Sequence, residues 1–208
     1  MKVIKFDDGP KNEVFAAAEK VLKKGGVIIG PSDTVYGIYG DATNPETIRK
    51  IFKIKKRVSE KAFPIFVKDI ATARKFAYID DRKARFLEKV WPGPVTVVFH
   101  HKEKLPGVLT GGKDTIGIRI PNHQFLLELL QRLDFPLVQT SANISGGEPM
   151  RSVEAAGGLG KESVVGLIID GGELPKGPST VVDFTRDNPI ILRSGVITKK
   201  ELDEILGV

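Results

Sequence analysis

The chain is predicted to fold as a single α/β domain, a mixed sheet flanked by helices. Three observations lead there. Short apolar runs of strand length alternate with amphipathic helical stretches along the whole sequence. No repeat or linker interrupts them, so residues 1–208 read as one domain, and the runs are too unevenly spaced for a barrel of equal units. The 208 residues are 41% hydrophobic and 28% charged, the balance of a globular protein rather than a disordered or fibrous one.

In chain order, residues 13–24 carry Val14, Phe15, Ala18, Val21 and Leu22 at helical spacing, and Gly25-Gly26 stops that helix. Val27-Ile28-Ile29 is a short buried strand ended by Gly30-Pro31. Asn44-Pro45 is a helix start, with Asn at the N-cap and Pro at the first helical position, and the helix runs to about Lys55. Residues 63–67 read as a strand, and 71–76 and 82–90 as helices. Strands at 95–99 and 115–120 precede a helix over 123–133. Further strands are expected at 137–140, 165–169, 180–184 and 190–192. A last helix, 199–206, follows Thr198 as N-cap.

Bulk properties exclude several functions. There is no cysteine, which removes disulfides, zinc–thiolate sites, iron–sulfur clusters and thiol catalysis. No run approaches the ~20 apolar residues of a membrane span. The first residues lack a signal-peptide apolar region, so a soluble cytoplasmic protein without membrane contact is expected. The net charge of +6 suits phosphate-bearing partners such as nucleotides or RNA, and equally a solvated lysine-rich surface.

Six segments could carry chemistry. Gly30-Pro31-Ser32-Asp33-Thr34-Val35-Tyr36-Gly37 sets hydroxyls, a carboxylate and a phenol between glycines. It reads either as a loop that holds a small polar molecule or as a tight turn whose Ser32 and Asp33 bond their own backbone. Residues 53–61 place five cations at a helix end. They either complement the helix dipole or clamp phosphate, with Lys55 and Arg57 on one side of an extended exit. The only Trp, Trp91, stands beside Pro92-Gly93-Pro94 and reads as a packing anchor. Arg119, inside the apolar strand Gly117-Ile118-Arg119-Ile120, must pair with a protein carboxylate or grip an anionic ligand. Thr140-Ser141-Ala142-Asn143-Ile144-Ser145-Gly146 ends a buried strand in small polar residues, at the sheet edge where α/β proteins bind ligands, or simply forms a turn. Ser179-Thr180-Val181-Val182-Asp183 and Leu192-Arg193-Ser194-Gly195 add a hydroxyl pair and an arginine.

Other chemistries are absent. Gly157-Gly158-Leu159-Gly160-Lys161-Glu162 resembles a phosphate loop but has Glu where Ser or Thr is required. Thr110-Gly111-Gly112-Lys113-Asp114 fails similarly. There are only three histidines, with His100 and His101 together after a strand, and no metal triad or Ser-His-Asp arrangement can be argued from them. Cations, hydroxyls and backbone dipoles remain, tools suited to ATP phosphates.

In order, Pro31 to Gly37, Lys55/Arg57, Pro92 to Thr96, Gly117 to Pro121, Ser141/Asn143, Ser179 to Asp183 and Leu192 to Gly195 resemble the motifs of the YrdC/YciO family, and most of all its threonylcarbamoyl-AMP synthases. The resemblance spans about residues 25–198. It implies a twisted mixed sheet with a positive concave face. It also implies a nucleotidyltransferase reaction joining L-threonine, bicarbonate (as carbon dioxide) and ATP, with Mg²⁺, into threonylcarbamoyl-AMP and pyrophosphate. A downstream threonylcarbamoyl-transferase machinery would then modify tRNA. By motif, Lys55, Arg57, Lys61, Thr115, Ser141, Asn143 and Arg193 would hold the nucleotide. Lys55 and Arg57 would act on the reacting phosphate, and Thr34, Arg119 and Ser179 would hold threonine. The chain departs from the family pattern at Ser32 (usually Thr), Val58 (commonly Pro), Ala62-Phe63 (frequently Pro-Leu) and Phe66, where several relatives have a threonine-contacting His. The chain's end at Val208 fits the single-domain type. Two rival expectations are a module that binds tRNA or double-stranded RNA through its cations, and a non-catalytic subunit of a tRNA-modification complex.

Overall fold

The computed structural model of the chain describes residues 2–6, 11–57, 61–154, 159, 164–174 and 177–206. The phosphate-loop look-alike at 157–162, apart from Leu159, and Val58 lie outside the described residues. Within them, ten strands form one mixed sheet. In chain order the strands are β1 (Lys2–Lys5), β2 (Val27–Gly30), β3 (Gly37–Asp41), β4 (Ile65–Phe66), β5 (Val95–His100), β6 (Thr115–Arg119), β7 (Leu137–Ser141), β8 (Val165–Asp170), β9 (Thr180–Asp183) and β10 (Ile190–Arg193). The helices are α1 (Lys11–Lys23), α2 (Pro45–Lys55), α3 (Ile70–Phe76), α4 (Asp81–Val90), α5 (Gly107–Thr110), α6 (Gln124–Arg132) and α7 (Lys199–Leu206). None of these helices is long and apolar enough to cross a membrane.

Across the sheet the strands run β1-β8-β2-β3-β7-β4-β6-β5-β9-β10. The pairs β1/β8, β2/β8, β4/β6 and β5/β9 are parallel, and the remaining neighbours are antiparallel. The α/β class and the mixed sheet match the expectation.

Helix signals behave as their chemistry requires. Asn44 Oδ1 accepts from the backbone N–H of Glu46 and Thr47. Thr198 and Glu201 form a reciprocal capping box, with Glu201 Oε2 accepting from the Thr198 N–H and Thr198 Oγ1 from the Glu201 N–H. Three elements escaped the sequence. β1 has two apolar residues among four. β3 is diluted by Gly37 and Gly40 yet pairs on both sides, with β2 and β7. α5 is a single turn. The strand expected at 63–67 contracts to Ile65–Phe66.

The two sheet faces are covered unequally. One face is buried along its length under α2, α4, α5 and α7, with Ile38, Ile65, Val97, Ile118, Val138 and Val182 pointing into that core. On the other face α1 and α6 cover only one half, packing on Ile28, Tyr39, Phe66, Leu137, Leu167 and Ile169. Over β6, β5, β9 and β10 that face carries no helix among the described residues. Alternation along the strands predicts which residues stand there. They are Thr96 and Val98 on β5, Thr115, Gly117 and Arg119 on β6, and Val181 and Asp183 on β9. All of them line one open cleft.

Candidate functional site

The cleft has a volume of about 650 Å³, and a second cavity of about 410 Å³ adjoins it. Arg57, Thr140 and Ser141 belong to both walls. Of the site residues expected from sequence, Thr34, Arg57, Thr115, Arg119, Ser141, Ser179 and Arg193 line the larger cavity. Lys55, Lys61 and Asn143 line the smaller, again with Arg57 and Ser141. Residues spread over more than 150 positions of sequence thus meet in one place.

The β2–β3 loop forms one wall. Ser32 follows the turn reading: its hydroxyl donates to the carbonyl of Val35 at 2.6 Å and accepts from the Thr34 N–H at 3.1 Å. Asp33 does not, because its carboxylate takes Arg119 instead. The ion pair Arg119 Nη2–Asp33 Oδ1 is 2.5 Å long, and the two side chains are 1% and 5% exposed. Arg119 Nε donates to the carbonyl of Gly93 at 2.8 Å, and Nη1 lies 3.4 Å from Thr34 Oγ1. Of the two alternatives for Arg119, the structure shows the protein carboxylate, while the guanidinium still borders the cleft. Asp33 Oδ2 is buried without a hydrogen-bond partner among the described residues. Tyr36 is structural. Its hydroxyl donates to Gly172 O and accepts from the Gly171 N–H, and burial pushes its pKa up to about 12.

The end of α2 forms the opposite wall, and its geometry corrects the extended exit expected from sequence. Lys56 adopts a left-handed conformation at φ 48°, while the N–H groups of Lys56 and Arg57 return to Lys53 O and Phe52 O. That tight closure still delivers Lys55 and Arg57 to one cavity. Lys55 is 2% exposed, and its ammonium donates to Ser141 O at 2.7 Å and to Asn143 Oδ1 at 2.5 Å. Desolvation first, and then the nearby charge of Arg57, lowers its pKa to about 8. Arg57 lies over the Phe63 ring at 4.7 Å and donates to Ala62 O, and its buried Nε has no partner among the described residues. Burial lowers its pKa as well.

The Ser141–Asn143 segment is prearranged. Asn143 Oδ1 accepts from both Lys55 Nζ and Ser141 Oγ, its amide donates to Gly147 O, and the Ser145 N–H ties the loop to Lys55 O. At the far side, Arg193 grips Ser179 O through Nε and Nη2, and Ser179 Oγ stands 3.1 Å from Thr96 Oγ1. Trp91 is a packing anchor, as expected. It is 6% exposed, and its indole N–H donates to Val95 O at 2.7 Å. Phe66 does not line the cleft; it lies beneath the Arg119 guanidinium, 5.5 Å from ring centre to carbon.

Sequence reasoning missed Gln139 and Asp183 as cleft residues, and Thr96 as the hydroxyl partner of Ser179. Polar positions alternating with core valines on β5, β7 and β9 were the signal that could have found them. Among the described residues no group of three or more His, Cys, Asp or Glu could cage a metal ion.

An open α/β cleft rimmed by arginines and lysines, with prearranged hydroxyls, defines a small-molecule-binding α/β protein suited to anionic ligands. The chain belongs to the Sua5/YciO/YrdC family, described as telomere recombination, whose profile matches residues 20–195. A putative threonylcarbamoyl-AMP synthase of Methanocaldococcus jannaschii is 34% identical over 205 residues, covering 97% of this chain and 95% of the relative. The structure of P. abyssi Sua5 complexed with L-threonine superposes with a TM-score of 0.92 at 28% identity, covering 100% of this chain and 61% of that one. E. coli YciO superposes with a TM-score of 0.82 at 29% identity, covering 94% and 95%. This chain therefore spans about three-fifths of the P. abyssi protein and nearly all of the other two.

Proposed function

We propose that this protein is a threonylcarbamoyl-AMP synthase. It joins L-threonine, carbon dioxide drawn from bicarbonate, and ATP into threonylcarbamoyl-AMP and pyrophosphate, a nucleotidyl transfer that feeds threonylcarbamoylation of tRNA. The observation that carries this reading is the meeting of all ten sequence-expected residues in two cavities joined at Arg57 and Ser141. Relatives named for the same activity support it.

In this reading the threonine amine adds to carbon dioxide, losing a proton and giving a carbamate. A carbamate oxygen then attacks the α-phosphorus, and pyrophosphate leaves. Lys55 and Arg57, with Arg193 across the cleft, balance the charge that grows on the phosphates. Thr34, Ser179 and the Nη1 edge of Arg119 hold the amino acid, each charged hydrogen bond contributing roughly 1.5–3 kcal/mol. Ser141 is a ligand rather than a nucleophile: its hydroxyl donates to Asn143 Oδ1 at 2.7 Å, and no histidine lines either cavity among the described residues. Bound with ATP, Mg²⁺ would supply further positive charge at the triphosphate; among the described residues no group of three or more His, Cys, Asp or Glu could cage it, which suits an ion carried in with the nucleotide.

The position of Lys55 favours this reading over an RNA-binding module, since a residue 2% exposed in a cavity wall is met by a ligand that enters the cavity rather than by a phosphate backbone running over the surface. Delivery of the product to the tRNA-modifying machinery suits a cytoplasmic protein. The test is pyrophosphate release from ATP and Mg²⁺ with L-threonine and bicarbonate. Release that stops when either threonine or bicarbonate is omitted is the expected result. Absence of both release and nucleotide binding would sink the reading.

A further inference from the structure

Asp183 is the one carboxylate among the described residues that line the larger cavity, in a cleft otherwise walled by Arg57, Lys113, Arg119 and Arg193. A carboxylate there repels phosphate, so it marks the part of the cleft where the triphosphate does not lie. Its position is fixed. Oδ1 accepts from the N–H of Thr185 at 2.9 Å and from its hydroxyl at 2.7 Å. Oδ2 has no hydrogen-bond partner among the described residues.

The ground beside Asp183 is flat. Gly117, Val98 and Asp183 are cross-strand partners on β6, β5 and β9. Gly117 presents no side chain, and a Cβ there would stand 3.2 Å from both Pro64 Cβ and Thr96 Cγ2. A smooth strip of glycine and valine, with the Thr115 hydroxyl beside it and a carboxylate at its end, suits a ring that bears hydroxyl donors. The amino acid lies elsewhere. Arg119 is two strands and two residues from Asp183, roughly 9.6 Å by about 6.6 Å at the backbone. An amino acid whose carboxylate sits on Arg119 cannot bring its ammonium, one carbon away, to Asp183.

We propose that Asp183 reads the ribose of the nucleotide, with Oδ2 accepting a hydrogen bond from the 2′-hydroxyl. This rests on the assignment of the cleft to ATP and adds a determinant that separates ribonucleotides from deoxyribonucleotides. A carboxylate accepting a sugar hydroxyl is an established way to make that distinction in α/β proteins. A hydrogen bond to a charged group corresponds to roughly ten- to a hundredfold in affinity.

The test is calorimetric titration of the full chain with ATP, 2′-deoxyATP and L-threonine, on the wild type, Asp183→Ala and Asp183→Asn. The Asn variant keeps an oxygen for Thr185 and covers the case in which Ala disturbs the turn. The expected result is that the wild type prefers ATP over 2′-deoxyATP by roughly ten- to a hundredfold. The ratio should fall towards one in Asp183→Ala and narrow in Asp183→Asn, with threonine affinity unchanged. Equal binding of the two nucleotides by the wild type, or an undiminished ratio in both variants, would overturn the ribose assignment while leaving the ATP site standing. So would loss of threonine binding with nucleotide discrimination intact, which would make Asp183 an ammonium partner. A wild type that binds neither nucleotide overturns the ATP site itself.

Discussion

The carboxylate of Asp33 holds the guanidinium of Arg119 at 2.5 Å, 86 residues away in sequence, with both side chains almost wholly buried. Arg119 is therefore neutralised and oriented before any ligand arrives. It is tied at Nε by Gly93 O and backed by Phe66, so that one edge of the guanidinium borders the cleft. This arrangement reconciles an arginine inside an apolar strand with a role in binding. The pair offsets part of the cost of burying the charge, and the Nη1 side, 3.4 Å from Thr34 Oγ1, stays loosely held.

Removing one partner should be far more harmful than removing both. Asp33→Asn leaves a buried cation uncompensated and should cost about 3–5 kcal/mol in denaturant unfolding. The double change Asp33→Asn with Arg119→Met should recover much of that loss, although neither protein should bind L-threonine with wild-type affinity. Equal destabilisation in the single and double variants would show that the pair does not act as a unit.

Arg57 is the opposite case, a cation whose removal should cost function and little stability. Among the described residues its guanidinium has one hydrogen bond, to Ala62 O at 3.2 Å, and one ring contact, to Phe63. Arg57→Ala should leave the unfolding midpoint within a few degrees of wild type, because a half-exposed cation–ring contact is worth about 0.5–1 kcal/mol. Threonine-dependent pyrophosphate release should drop by roughly a hundredfold or more, the scale of losing one preorganised charge at the reacting phosphate. Wild-type turnover in this variant would remove Arg57 from the reaction.

Much of the site was legible because its parts are local. A strand that runs out into hydroxyls and glycine, as at Thr140 to Gly146, announces itself in sequence. So do the caps Asn44 and Thr198, whose partners lie within three residues. Relationships that depend on the sheet were not legible. β3 is a strand because β2 and β7 flank it, not because Gly-Ile-Tyr-Gly-Asp favours extension. The choice of Asp33 as the partner of Arg119, and the facing of Asp183 into the cleft, follow from strand order and register. The left-handed turn at Lys56 was hidden because lysine is not a residue that announces such a turn.

Lys55 should set an alkaline limit on nucleotide use. Burial and Arg57 lower its pKa from 10.5 to about 8. Its two protein acceptors, Ser141 O and Asn143 Oδ1, occupy two N–H groups, so the proton lost above that pH is the one left for a phosphate. The free-enzyme profile of kcat/KM for ATP should therefore fall about tenfold per pH unit above roughly pH 8. In Lys55→Arg the limb should vanish from that range, since arginine stays charged. Stability should move the other way. Between about pH 8 and about pH 10.5 the unfolded lysine binds more proton than the folded one, so unfolding free energy rises with pH through that window. A limb that persists unchanged in Lys55→Arg would assign it to another group.

Gly195, at the end of the Leu192-Arg193-Ser194-Gly195 segment, leaves no room for a side chain. A Cβ there would run into the carbonyl of Pro178 and the backbone of Ser179, including Ser179 O at 2.6 Å. These are main-chain atoms, which cannot rotate out of the way. Ordinary hydrogen bonds pin the segment on both sides: the Gly195 N–H donates to Thr180 Oγ1 at 3.0 Å, and the Val196 N–H donates to Pro178 O at 3.0 Å. Relief in Gly195→Ala must therefore displace Ser179, whose carbonyl holds Arg193 and whose hydroxyl meets Thr96. The substitution should cost about 1–3 kcal/mol in unfolding, the range for overpacking. It should also raise KM for L-threonine and for ATP together, because one shifted residue serves both sides of the cleft. A variant that lost stability while keeping both KM values would show that Ser179 and Arg193 hold their places independently of Gly195.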